Sequence, residues 1–253
     1  MAKAVFTVNA LKILFFVLGC LMLATLIYTL STDGSPFRRE LFTPGMAAIL
    51  VDFYINVIAL AVWVAYKESN WISGALWIIL LVCFGSITTC AYIVVQLFKV
   101  SSQDPLQDPM YHVLLRHWNN GDVERNRTIS FVLVARVLFS ALGCLMLGTL
   151  ICTIIIDGLH SRRELWTPWM AATLVDLYIN VVAIAVWIAY KGSSWITALL
   201  WIVLLICFGS LTTCAFIVMH LAHLSSQDPL YLVLLNDHSR QRTYLSRDAS
   251  VSS

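Results

Sequence analysis

Glu40–Lys67, ELFTPGMAAILVDFYINVIALAVWVAYK, returns as Glu164–Lys191, ELWTPWMAATLVDLYINVVAIAVWIAYK. The copies stand 124 residues apart without a gap, and 21 of their 28 positions are identical. Each is apolar over about 20 residues, the length that crosses roughly 30 Å of hydrocarbon. Thr43-Pro44 and Thr167-Pro168 open the two copies. Threonine accepts from a first-turn amide, and proline suits the first helical position because its missing N–H is not needed there. Each copy therefore predicts a membrane-spanning helix, in a chain built twice.

Composition agrees. Hydrophobic residues make up 60% of the 253, charged residues 12%, and the mean hydropathy is +0.82. A soluble domain carries about twice that charged fraction. The net charge of +2 is scattered through short loops, which excludes a nucleic-acid-binding stripe. A secretory signal is excluded for the first apolar run because Val17–Leu26 (VLGCLMLATL) recurs in mid-chain as Ala141–Leu150 (ALGCLMLGTL). All seven cysteines lie inside apolar runs, where thiols behave as small hydrophobes. Cys83 and Cys90, like Cys207 and Cys214, are seven apart and are expected to share a helix face.

The apolar runs predict six spans: residues 8–30, 43–66, 71–98, 129–156, 167–190 and 195–221. Very short connections after Lys67 and Lys191 make hairpins of the second and third spans of each set. The first repeat with its connecting loop occupies residues 1–128 and the second 129–235, leaving 236–253 as a disordered polar tail. Asp104-Pro105 and Asp228-Pro229 each start a short segment expected to lie in the interface. Clusters Trp63, Tyr66, Trp71 and Trp187, Tyr190, Trp195 match an aromatic belt.

Three spans per repeat is an odd number, so the second repeat enters from the opposite side. The expected fold is an all-α integral membrane protein, six transmembrane helices as two inverted three-helix repeats. On that layout the basic residues divide equally between the two sides. Only the arginines of the tail, on the side of Lys3 and Lys12, favour a cytosolic N-terminus. The sequon at Asn126 lies too close to a span to be glycosylated.

Asp52 and Asn56, with their copies Asp176 and Asn180, are the polar groups placed deep in the membrane. Asp52 is eight residues past Pro44, so about 12 Å into its span. Asn56 follows four residues later on the same face. A carboxylate in hydrocarbon costs a few kcal/mol and should face the bundle interior. Inversion sets the two pairs face to face, which suits a proton or cation site. The plainer reading is interhelical glue, with Ser86, Thr88, Thr89, Ser210, Thr212 and Thr213 as partners. Lys12 and Arg136 start the first and fourth spans. They either snorkel to headgroups or, given inversion, form cross-repeat ion pairs Lys12–Asp176 and Arg136–Asp52. Arg38-Arg39 and Arg162-Arg163 are expected as membrane-flanking charges, and His220 and His223 as interfacial.

The block LFTPxMAAxLVDxYINVxAxAVWxAYK, with CFGSxTTCAxIV after it, resembles a plant family of multi-pass membrane proteins catalogued as a domain of unknown function. The resemblance runs from Lys12 to Leu235 and brings no activity, substrate or catalytic residue. No nucleophile–base arrangement, phosphate loop, HExxH or N-P-A motif occurs, so no enzyme, cofactor or metal is expected. The expected function is a small secondary transporter or channel for an unknown solute or ion. The alternative is a non-transporting scaffold whose Asp and Asn only stabilise packing. The bilayer is the expected partner, and a homo-oligomer is compatible with the sequence.

Overall fold

The computed structural model describes residues 2–35, 43–68, 70–101, 125–157, 167–192 and 194–222. The interfacial segments after Asp104 and Asp228, both arginine pairs, His223 and the tail lie outside them. The described residues form eight helices and no strand. The first repeat holds α1 (Ala2–Asp33), α2 (Pro44–Lys67), α3 (Trp71–Phe84) and α4 (Ser86–Ser101). The second holds α5 (Arg125–Asp157), α6 (Pro168–Lys191), α7 (Trp195–Phe208) and α8 (Ser210–Ala222). Four of these, α1, α2, α5 and α6, are long and apolar enough to cross a membrane. The hydroxyls of Thr43 and Thr167 cap α2 and α6 as their sequence requires, accepting from the Met46 and Met170 amides at 3.2 Å.

The expected third and sixth spans are not single helices, which corrects the six-span layout. Gly85 and Gly209 break them, with φ of 54° and 53° and ψ of −127°, a conformation essentially reserved for glycine. After each break the chain turns back. Thr88 Oγ1 donates to the Leu80 carbonyl at 2.9 Å, and Thr212 Oγ1 to that of Leu204 at 2.9 Å. In a straight helix those groups would stand about 12 Å apart. The Trp77 and Tyr92 rings meet edge-on at 5.1 Å, and Trp201 and Phe216 at 5.2 Å. Each pair of short helices is thus a hairpin with its tip at the glycine. Its 14-residue leading arm reaches about 21 Å, short of a bilayer's hydrocarbon. Cys83 and Cys90 consequently fall on opposite arms: Cys90 is buried against Gly19 of α1, and Cys83 is exposed.

Both hairpins open toward the same end of the bundle. Glu68, just past α2, accepts from Gln96 near the end of α4 at 3.2 Å, so α4 returns to the end where α3 began. Lys12 lies over the Phe98 ring at 4.5 Å, so α1 starts at that end too. Helix α6 advances with α4, since Asp176 meets Ser86 and Asn180 meets Thr89. So does α2: Phe53 lies at Gly85, and the Trp63 and Tyr92 rings meet at 5.3 Å. Helices α2 and α6 therefore run parallel. The Trp169 indole donates to the Gly34 carbonyl at 3.2 Å, setting the start of α6 at the end of α1.

The inverted arrangement expected from three crossings does not form. A hairpin that returns to its own end leaves two long helices per repeat, an even number, so both repeats start from one end. Their contacts are reciprocal: α1 packs on α4 and α6, and α5 packs on α8 and α2. Three apolar clusters fill the interior. One lies between α2 and α6 around Val57, Leu60, Val181 and Ile184. The others join α1 to α4 and α6, and α5 to α8 and α2. The outward faces are apolar as well, including Phe16, Trp71, Leu133 and Trp195, as suits a lipid-facing surface. Trp63 and Trp187 depart from the expected aromatic belt, because each turns inward onto a hairpin ring.

Candidate functional site

The two tips define the site. Where a helix starts, its first amides have no partner within the helix and carry about half a positive charge. At each tip the opposite repeat supplies the missing acceptor. Asp52 Oδ1 accepts from the Ser210 amide at 2.6 Å, and Asp176 Oδ1 from the Ser86 amide at 2.7 Å. Both lie at the short, charge-assisted end of N–H···O distances. One turn on, Thr213 Oγ1 donates to Asn56 Oδ1 at 2.9 Å, and Thr89 Oγ1 to Asn180 Oδ1 at 2.8 Å. Asn56 and Asn180 are both completely buried. The i, i+4 spacing thus lets one face of α2 grip the start of α8, while the same face of α6 grips the start of α4.

Glycine at the tip serves the site twice. It takes the positive φ that frees the amide, and it leaves room for the carboxylate. A methyl group on Gly85 would overlap Asp176, and one on Gly209 would overlap Asp52.

Asp52, Asn56, Asp176 and Asn180 are the residues expected at depth, and the structure brings all four to the tips. It does not set the two carboxylates against each other: each is bound to a hairpin of the opposite repeat. Ser86 and Ser210 contribute their backbone amides, Thr89 and Thr213 their hydroxyls. Thr88 and Thr212 instead staple their own hairpin. Gly85 and Gly209 were missed, although an isolated glycine before a Ser-x-Thr-Thr run is a signal for a turn.

The cations go elsewhere. Arg136 donates from Nε and Nη2 to the Leu221 carbonyl near the end of α8, and Lys12 sits on Phe98. Along α4, Phe98 is twelve residues from Ser86, about 18 Å. Lys12 is therefore far from Asp176, and Arg136 stands in the same relation to Asp52. The ion pairs needed the inversion and are absent with it. Among the described residues no three His, Cys, Asp or Glu side chains gather as a metal would require.

A family model described as "Protein of unknown function (DUF1475)" matches residues 2–121 and again residues 115–241. The chain belongs to the DUF1475 family. It carries two copies of the DUF1475 unit, which is the duplication visible in the sequence. Neither the curated proteins nor the solved structures contain a match.

Proposed function

We propose that the protein is a small, non-enzymatic membrane transporter or channel for an ion or proton-coupled solute, with a half-site at each hairpin tip. Four helices span the bilayer in this reading. The two hairpins are re-entrant, dipping in from one side and ending near mid-depth. The observation that carries it is the carboxylate of one repeat bound to the broken helix of the other. Irregular backbone at membrane depth occurs where protein buries it or where it lines a pathway, and broken helices build the ion and substrate sites of transporters. Asparagine alone would cap the half-helix. A carboxylate at that depth costs a few kcal/mol more than a neutral side chain, and both copies have one. Protonating it, or drawing it to a cation, removes the negative charge from the half-helix start and loosens the tip. Among the described residues, the thiols of Cys214 and Cys90 lie within electrostatic reach of Asp52 and Asp176 respectively.

The test is flux into proteoliposomes with and without a pH gradient, for wild type, Asp52→Asn and Asp176→Asn. The amide can still accept from the serine N–H, so both variants should insert and fold. The expected result is transport in the wild type and about a tenfold or greater loss in each variant, the effect of removing a charge that acts in the step itself. Variants that match the wild type would overturn the reading.

One observation favours the scaffold alternative: all four side chains already have partners in the other repeat. In that case no solute moves in any variant, and Asp→Asn leaves assembly with other membrane proteins unchanged.

A further inference from the structure

The bonds that hold each tip leave some of its polar atoms over. Oδ1 of the carboxylate takes the serine amide. Oδ2 lies where a Cβ on the tip glycine would stand. Ser86 and Ser210 are completely buried. Their hydroxyls stand beside the Asp176 and Asp52 carboxylates, yet neither Oγ is aligned for a hydrogen bond with any described group. Buried hydroxyls are nearly always bonded, so the same orphan in both repeats calls for a reason. The other side-chain oxygens nearby are taken. Asn56 and Asn180 accept from threonine hydroxyls, and Thr88 and Thr212 close their own hairpins. Asn180 Nδ2 is also buried without a partner, but it is a donor and repels a cation. Each tip therefore offers an incoming ion one carboxylate oxygen and one hydroxyl.

That set is too small for a metal ion. Hard cations gather about six or more oxygens, and the half-helix start places partial positive charge beside these two. The carboxylate also packs directly on the glycine, which leaves no gap for an ion on that side. A proton needs one oxygen and no cavity. We propose that the ion each tip accepts is a proton, held on Asp Oδ2 and donated to the buried hydroxyl of the opposite repeat: Asp52 to Ser210, Asp176 to Ser86. This rests on reading the tips as the working site and names the ion they take. The proton comes from water, and no bond at the tip has to break. Oδ1 still accepts the serine amide, and the hydroxyl, which accepts as well as donates, gains its missing partner. Asp52 and Asp176 keep some accessible surface while the serines keep none, so the acid is the point of entry. Of the described titratable groups on surrounding helices, Cys214 lies near Asp52 and Cys90 near Asp176. Cys83, Cys207, Tyr54 and Tyr178 are exposed. Lys12, Arg136 and the residues that end α2, α4, α6 and α8 stand at the base.

Infrared difference spectra of the full chain in lipid nanodiscs, taken while the pH is lowered, test this without any flux. The expected result is a growing C=O band of protonated carboxyl, part of which is lost in Asp52→Asn and part in Asp176→Asn. Ser210→Ala should move the Asp52 part of the band to higher frequency, and Ser86→Ala the Asp176 part, because an acid O–H without its acceptor leaves the carbonyl stiffer. Both variants keep the backbone amide that Oδ1 needs. Raising sodium about tenfold at constant ionic strength should leave the titration where it is. A site that took sodium in the proton's place would shift by up to about one pH unit for that change. Three results overturn the proposal: no band that the Asp→Asn variants remove, a band that neither Ser→Ala variant moves, or a titration that shifts with sodium. The sodium series uses the wild type alone, so it decides the matter should the serine variants fail to fold. The expected spectra without flux in proteoliposomes would remove the transport reading and leave the proton sites standing.

Discussion

At the scale of single residues, the acceptor matters more than the charge for keeping the tips in place. Asp52→Ala leaves the Ser210 amide buried without a partner, which costs about 1–3 kcal/mol. Asp52→Asn keeps an acceptor in reach and should cost less than about 1 kcal/mol. Thermal unfolding in detergent should therefore rank wild type and Asn close together and Ala well below, with the same order at Asp176. An Asn variant as unstable as Ala would mean that the charge itself holds the tip. The Asp and Asn positions were legible in the sequence because a carboxylate recurring at one depth in two apolar runs has few explanations. Their partners were half legible. Ser86, Thr89, Ser210 and Thr213 belong to the expected set of neighbours, but a backbone amide freed by a helix break leaves no mark in a list of side chains. The alternative that pairs Lys12 and Arg136 with the carboxylates fails for a different reason. Their pairing was inferred from heights, and the heights came from a topology that does not form.

Among the elements, the hairpins are what hydropathy alone conceals. Residues 71–98 hold no charged side chain, and a window average has no sense of direction: a helix that crosses and one that turns back score alike. Glycine is also common within membrane helices, so Gly85 by itself does not mark a break. Its dihedral angles do what the average cannot register. Gly85→Ala should strain the backbone by about 1–3 kcal/mol and would also push its methyl into the Asp176 carboxylate. Loss of the folded, monodisperse peak in detergent chromatography is the expected outcome, and Gly209→Ala should behave the same way. Gly148→Ala is the matched control, because a methyl there meets nothing within 4 Å. A stable, well-dispersed Gly85→Ala protein would show that the break is not needed.

Over the whole molecule, the hairpins change the arithmetic of sidedness. If they cross, basic residues divide equally and no orientation follows. If they return, every Lys and Arg except Arg38, Arg39, Arg162 and Arg163 joins the side on which α1 begins. A bias of twelve among the sixteen basic residues predicts that this side is cytosolic. Acceptor sequons inserted between α1 and α2, or between α5 and α6, should be glycosylated in microsomes. The native Asn126 and sequons placed at either terminus should stay unmodified. Modification at opposite ends of the two repeats would return the molecule to the inverted arrangement. Helical class, duplication and the four longest helices were thus open to sequence reading. Handedness of the assembly was not, because it turned on the parity of crossings, and parity turned on two glycines.

Each unit finishes at the end of the bundle where it began, and each lends its acid to a neighbour's broken helix instead of its own. A lone unit would therefore be incomplete in a particular way: one tip without its acceptor and one acceptor without its tip. A second unit inserted in the same orientation supplies both at once. Joining two such units in one chain needs only a tether along a single membrane face, with no additional crossing and no reversal of charge bias. What makes the two halves one protein is then the exchange of acids across their boundary.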